Sequence, residues 1–218
     1  MATDEDEQAA VTGENNSLGR LLTLSDGVFA IAMTLLALDL RVPDIKNATN
    51  AGLQHALRQQ SPNYLSFLIS FYVVVSYWGR HRRLMRSVEI VDSALIGQSV
   101  FLLLCVAAMP FPASLLGQYG SKAISIDIYG GLNVVAVLSL LRLHYVVRTH
   151  RLAPHATADP EHDDVPELIA TLGVFLVCIA TAYISPGDGA WPLLLLVLVQ
   201  RVRPLWYRVR AARHPQGR

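Results

Sequence analysis

Leu24-Ser25-Asp26-Gly27-Val28-Phe29-Ala30-Ile31-Ala32-Met33-Thr34-Leu35-Leu36-Ala37-Leu38 is an apolar run carrying a single carboxylate near its start. An ionisable side chain within a membrane span is costly and marks a functional position. Gly27, Ala30, Ala32 and Ala37 make the run rich in small residues, which let helix backbones approach closely in lipid. The helix is therefore expected to lie within protein rather than to face lipid. Ile31, Leu35 and Leu38 follow i, i+4, i+7 and share one face, with Thr34 beside it. On spacing alone a packing stripe is favoured over a pore lining, because any buried helix shows it, and periodicity by itself does not separate the two.

Outward from this run, the remainder of the 218-residue chain is similar in character. Hydrophobic residues make up 52%, charged residues only 16%, against about 25% in an ordinary soluble domain. That deficit excludes a disordered chain, a nucleic-acid-binding tail protein and an ordinary water-soluble enzyme. The formal net charge of +1 gives no bulk attraction to polyanions, so no nucleic-acid partner is expected. Cys105 and Cys178 both sit in apolar runs, which argues against a disulfide framework or a thiolate metal site.

A spanning helix needs about 20 mostly apolar residues. No charge interrupts the chain between Arg58 and Arg80, Asp92 and Lys122, or Glu167 and Asp188. Leu21–Leu38 is interrupted only by Asp26, and Ala123–Leu141 only by Asp127. Ala190–Gln200 is short but continues through Val202, Leu205 and Trp206, where arginines can snorkel. Arginines cluster at 80, 82, 83 and 86, at 142, 148 and 151, and at 201, 203, 208, 210, 213 and 218. If all six stretches cross, these clusters share one side, which the positive-inside rule makes cytoplasmic. The opposite side then holds only Arg41, Lys46, Arg58 and Lys122. The sequence thus predicts an all-α membrane protein with six transmembrane helices in the cell membrane and both termini cytoplasmic. Its expected divisions are a polar, mobile cytoplasmic tail over 1–17, a membrane domain over 18–208 and a basic cytoplasmic tail over 209–218.

The acidic N-terminus, Asp4 to Glu7, lacks the basic region of a cleavable signal. Segment 154–166, with Asp159, Glu161, Asp163 and Asp164, reads as a solvated acidic loop. Its histidines, His155 and His162, are read as loop residues rather than metal ligands. Gln98 and Asn133 are expected to bridge helices, Asp127 and His144 to reach the interface from opposite ends of the fourth span, and Trp191 and Trp206 to anchor at the two surfaces.

Three patches resemble the endolysosomal-type potassium channel family, in its short prokaryotic branch. The first is Arg20-x-x-x-Leu24-Ser25-Asp26-Gly27-Val28-Phe29-Ala30-Ile31, with Leu24 where the family has Phe. The second is Phe71 through Trp78-Gly79-Arg80-His81, and the third is Leu102 through Met109-Pro110-Phe111-Pro112. The resemblance implies a potassium-selective leak channel, a homotetramer in which the first helix of each subunit lines a central pore. It implies an apolar constriction at Ile31, further rings at Leu35 and Leu38, and a ring of hydroxyls from Thr34. It also implies that Arg20, Ser25, Asp26, Trp78 and His81 form a structural network beside the pore, with Ser25 and Asp26 bonded to Trp78 and His81. Like that family, the chain lacks a Thr-Val-Gly-Tyr-Gly filter: Tyr119-Gly120 has no Thr-Val before it. Expected partners are further copies of the chain and membrane lipid. Potassium is the permeant ion, and no cofactor or bound metal is expected.

Two other classes compete. A proton-coupled secondary transporter could use Asp26 and His81, but such folds show inverted repeats and broken helices, and the sequence shows neither. An intramembrane enzyme could pair Ser25 with His81, but no nucleophile elbow or His-Glu-x-x-His motif accompanies them. No catalytic residue is assigned.

Overall fold

A computed structural model describes residues 2–43, 49–150, 152–153 and 164–184. Every regular element among the described residues is an α-helix: α1 (Ala2–Ala37), α2 (Asn50–Gln59), α3 (Ser61–Arg86), α4 (Ser93–Ala108), α5 (Pro110–Tyr119), α6 (Ala123–Thr149) and α7 (Val165–Ile184). Helix α1 runs back through the acidic stretch for which the sequence predicts a mobile tail.

Among the described residues, four segments are long and apolar enough to cross a membrane: Ser17–Ala37, Ser93–Tyr119, Ala123–Thr149 and Val165–Ile184. The second joins α4 to α5. Pro110 and Pro112 lack the amide hydrogens that would continue the ladder. Met109 nevertheless keeps helical angles (φ −58°, ψ −36°), and Ala113 N donates to Met109 O at 3.2 Å, so the span resumes at once. Helix α3 has 26 residues, ample length, but Ser, Tyr and Asn dilute its apolar content and leave it outside this group. The expected sixth span, with Trp191, Trp206 and the arginines from Arg201 onward, lies outside the described residues, as do Lys46, Arg151, His155 and His162.

Two packed clusters fix the order of the helices. The smaller holds Leu21 of α1, Met85 of α3, Leu95 of α4 and Leu143, Val146 and Val147 of α6. The start of the apolar part of α1 (Ser17–Ala37), the end of α3, the start of α4 and the end of α6 therefore meet at one end, so these helices alternate in direction. The larger cluster fills the middle of the bundle with Phe29, Leu36, Val73, Tyr77, Leu102, Val106, Tyr129, Leu140 and Phe175. Helix α1 packs on α3, α4 and α5, and α7 packs on α6. Two glycines permit close approach. A Cβ on Gly117 would lie 2.7 Å from Asn63 Oδ1, and one on Gly130 would lie 2.8 Å from Ile179 Cγ1.

Several polar groups inside the bundle are paired across helices. Tyr77 Oη donates to Asn133 Oδ1 at 3.0 Å, joining α3 to α6, and Gln98 Nε2 donates to Ser139 Oγ at 2.8 Å, joining α4 to α6. Both bridging expectations thus match the structure. His144 does not reach the interface. It is buried, with Nδ1 2.9 Å from Leu140 O, because α6 continues to Thr149, beyond the charge at Arg142. Asp127, half-buried, accepts from Tyr183 Oη at 2.5 Å and ties α6 to α7.

Candidate functional site

Helix α1 divides along its length into two stripes. Leu21, Ser25, Phe29, Ala32 and Leu36 are buried, recurring every three or four residues against the bundle. The other stripe holds Leu24, Ile31, Leu35 and Leu38, exposed by 53%, 60%, 41% and 70%, together with exposed Thr34. These large apolar side chains are left uncovered by the rest of the chain, as a face turned to lipid or to a further copy would be. All four residues expected at the pore lie on this face: Ile31, Thr34, Leu35 and Leu38. Thr34 Oγ1 donates its hydrogen to Ile31 O at 2.8 Å. The hydroxyl oxygen thereby turns its remaining lone pairs away from the helix, as an acceptor suited to a cation.

The proposed network is assembled in part. Trp78 Nε1 donates to Asp26 Oδ1 at 2.7 Å, the short length of a charge-assisted bond, and links α1 to α3. Arg82 lies over the Trp78 ring with its guanidinium carbon 5.2 Å from the centroid, a cation–π contact on the face of the indole. Its part was missed in the sequence, although its position one helical turn after Trp78 is a usable signal. His81 is buried beside Phe29, with ring centroids 6.0 Å apart, and its Nε2 has no hydrogen-bond partner among the described residues. Ser25 is also buried, but its hydroxyl donates to Leu21 O at 2.8 Å within its own helix rather than to His81. Arg20 is exposed, and no polar contact joins it to the cluster among the described residues.

A second set of charges braces the same end of the bundle. Arg80, almost fully buried, reaches Glu167 at 3.5 Å, and Arg83 forms a two-pronged contact with buried Asp164, at 3.1 and 3.3 Å. These pairs tie α3 to the start of α7. No group of three or more His, Cys, Asp or Glu side chains is arranged to hold a metal ion among the described residues.

Apolar helices long enough to span define a membrane protein, with one face of α1 left uncovered by the rest of the chain. Residues 20–110 match the family model described as the endosomal/lysosomal potassium channel TMEM175. The chain is 33% identical over 177 residues to a potassium channel of Chamaesiphon minutus, covering 79% of this chain and 87% of that one. It is 43% identical over 104 residues to a potassium channel of Streptomyces collinus, spanning 48% of this chain and 50% of that one. Among solved structures, it is similar to the crystal structure of a lysosomal potassium-selective channel TMEM175 homolog from Chamaesiphon minutus. The TM-score is 0.71 at 28% identity, over 86% of this chain and 98% of that one. The chain belongs to the TMEM175 potassium channel family.

Proposed function

We propose that this protein is a potassium-selective leak channel of the cell membrane, in which α1 from each of four copies surrounds a central pore. The observation that carries the reading is the exposed stripe of Ile31, Thr34, Leu35 and Leu38 opposite a fully packed one. One chain offers one such helix, so a closed pore needs several copies arranged cyclically. The relatives' description as potassium channels supports the ion. Six spans, with α3 among them and the sixth over 190–206, give cytoplasmic termini. The described arginines 80, 82, 83, 86, 142 and 148 then share the cytoplasmic end.

A narrow ring of branched apolar side chains at Ile31 expels water and closes the path without a moving plug. When the ring widens slightly, an entering ion sheds part of its hydration shell, which costs potassium less than sodium. Thr34 oxygens, with hydrogens committed to Ile31 carbonyls, replace some of the lost ligands. The Asp26–Trp78–Arg82 assembly holds α1 at its cytoplasmic end and does not touch the ion.

The test is bilayer recording of purified Ile31→Asn under opposed potassium and sodium gradients. A polar ring retains water, so conductance should rise and the reversal potential should move toward zero. A variant conducting like the parent, with the same reversal potential, would remove Ile31 from the constriction.

A further inference from the structure

At the opposite end of the bundle from Trp78, a cavity of about 450 Å³ opens between the end of α1, the start of α3 and α5. It lies off the exposed stripe, with buried Leu36 on its wall. Leu36 and Phe67 give it an apolar side, and Asp39 and Arg41 give it one acid and one base. Ser114 Oγ donates to Asp39 Oδ1 at 3.1 Å, and Gln118 Nε2 donates to Ser114 Oγ at 3.0 Å. This chain of donors ends on Asp39, whose carboxylate receives no other side-chain hydrogen bond among the described residues. Arg41 is exposed and forms no ion pair among the described residues, although it stands two positions from Asp39. Gln60 and Asn63, at the start of α3, also line the cavity.

An acid and a base that line one cavity without pairing can hold the two ends of a zwitterion. We propose that this cavity binds the headgroup of phosphatidylethanolamine from the outer leaflet. The primary ammonium sits on Asp39, the phosphate lies toward Arg41 and the first turn of α3, and the glycerol end runs along Leu36 and Phe67. A phosphate is well matched by a guanidinium. The ammonium supplies N–H donors to the free carboxylate lone pairs, which the quaternary nitrogen of phosphatidylcholine cannot do. The lipid source is favoured over a soluble zwitterion because the cavity has an apolar wall and sits at the ends of spanning helices, at headgroup level. The occupant would brace the outer end of α1. Placement on the outer leaflet rests on the topology given above.

The experiment uses the full-length protein in nanodiscs of matched acyl chains, with phosphatidylethanolamine and phosphatidylcholine in equal amounts. Lipid retained after detergent exchange is counted by native mass spectrometry. Ethanolamine should be favoured over choline by about tenfold, the ratio that one charge-assisted hydrogen bond supports. Asp39→Asn should abolish the preference, and Ser114→Leu, which fills the cavity and keeps both charges, should abolish retention. Arg58→Gln, on exposed α2 and off the cavity wall, should leave both unchanged. Helicity and elution volume identify variants that fail to fold. Equal retention of the two lipids, or an unaltered preference in Asp39→Asn and Ser114→Leu, overturns the proposal. Displacement by millimolar glycerophosphoethanolamine would reassign the site to a soluble zwitterion and overturn the lipid source. Retention is read without current, so its failure leaves the channel reading standing, and a silent pore leaves this one standing.

Discussion

Asp26 carries two kinds of information at the residue scale. Its position in an apolar run shows that it needs a partner, but nothing in local spacing says that the partner is Trp78, 52 residues away. Family resemblance supplied Trp78, and the structure added Arg82 over the indole ring. Resemblance also bonded Ser25 and Asp26 to Trp78 and His81, whereas the Ser25 hydroxyl is spent on Leu21 O, the local bond always open to a helical serine. Trp78→Phe and Asp26→Asn each weaken one charge-assisted bond and should cost about 1.5–3 kcal/mol. The double variant should cost little more than either alone, because both single changes act on the same contact. Oligomer yield in detergent should fall with no change in reversal potential. An intact oligomer with altered selectivity would instead put Asp26 in the conduction path. Leu36→Ala is the complementary case: fully buried, it should destabilise by about 2–5 kcal/mol in thermal unfolding and leave selectivity alone.

Hydropathy was an uneven guide at the scale of the helix. The charge-free stretches marked α3, α4 with α5, and α7 plainly, while α6 carried Asp127 near its start. Mean hydropathy ranks α3 below α4 with α5, α6 and α7, because its Ser66, Ser70, Tyr77 and Asn63 meet α5 and α6: Ser66 donates to Ala113 O at 2.6 Å and Ser70 to Tyr129 Oη at 3.2 Å. A helix buried by its neighbours can carry polar residues that a lipid-facing one cannot, so composition underrates interior helices. Hydropathy also ended α6 too early, since Arg142 is exposed while Leu143, Val146 and Val147 beyond it remain packed. In α1 the 3.6-residue repeat separated the Leu36 face from the Ile31 face, yet only the tertiary packing shows which of them the bundle covers. Topology is testable on this scale. Arg86→Cys and Lys122→Cys are both at exposed positions. An impermeant thiol reagent applied to intact cells should modify only the second, and outside labelling at Arg86 would sink the six-span arrangement.

The end of the bundle that gathers Leu21, Met85, Leu95 and Leu143 is held by charged contacts as well as apolar ones. The loop carboxylate of Asp92 lies 2.6 Å from His150 Nδ1, joining the start of α4 to the end of α6. The hydrogen bonds from His150 and Ser93 hold the Asp92 carboxyl below its ordinary value of 3.8. A lowered carboxyl pKa adds stability above the unfolded value, and this is lost as pH falls through the folded one. The parent should therefore unfold later than His150→Ala at pH 5 to 7, by a small margin since both side chains are partly exposed, with the difference closing in acid below about pH 4. Thermal melts across that range check the sign. The Asp26–Trp78 bond has a different consequence, in angular terms. It pins the azimuth of α1, so the identity of the lining is set by counting residues from the pin. One alanine inserted after Gly27 would turn everything beyond it by about 100°. Ala30, Thr34 and Ala37 would then occupy the places of Ile31, Leu35 and Leu38, while Ile31 and Leu35 would rotate into the seats of Ala32 and Leu36. A dewetting ring would become a ring of methyls and hydroxyls, wide and wet, made from the same side chains moved by one step.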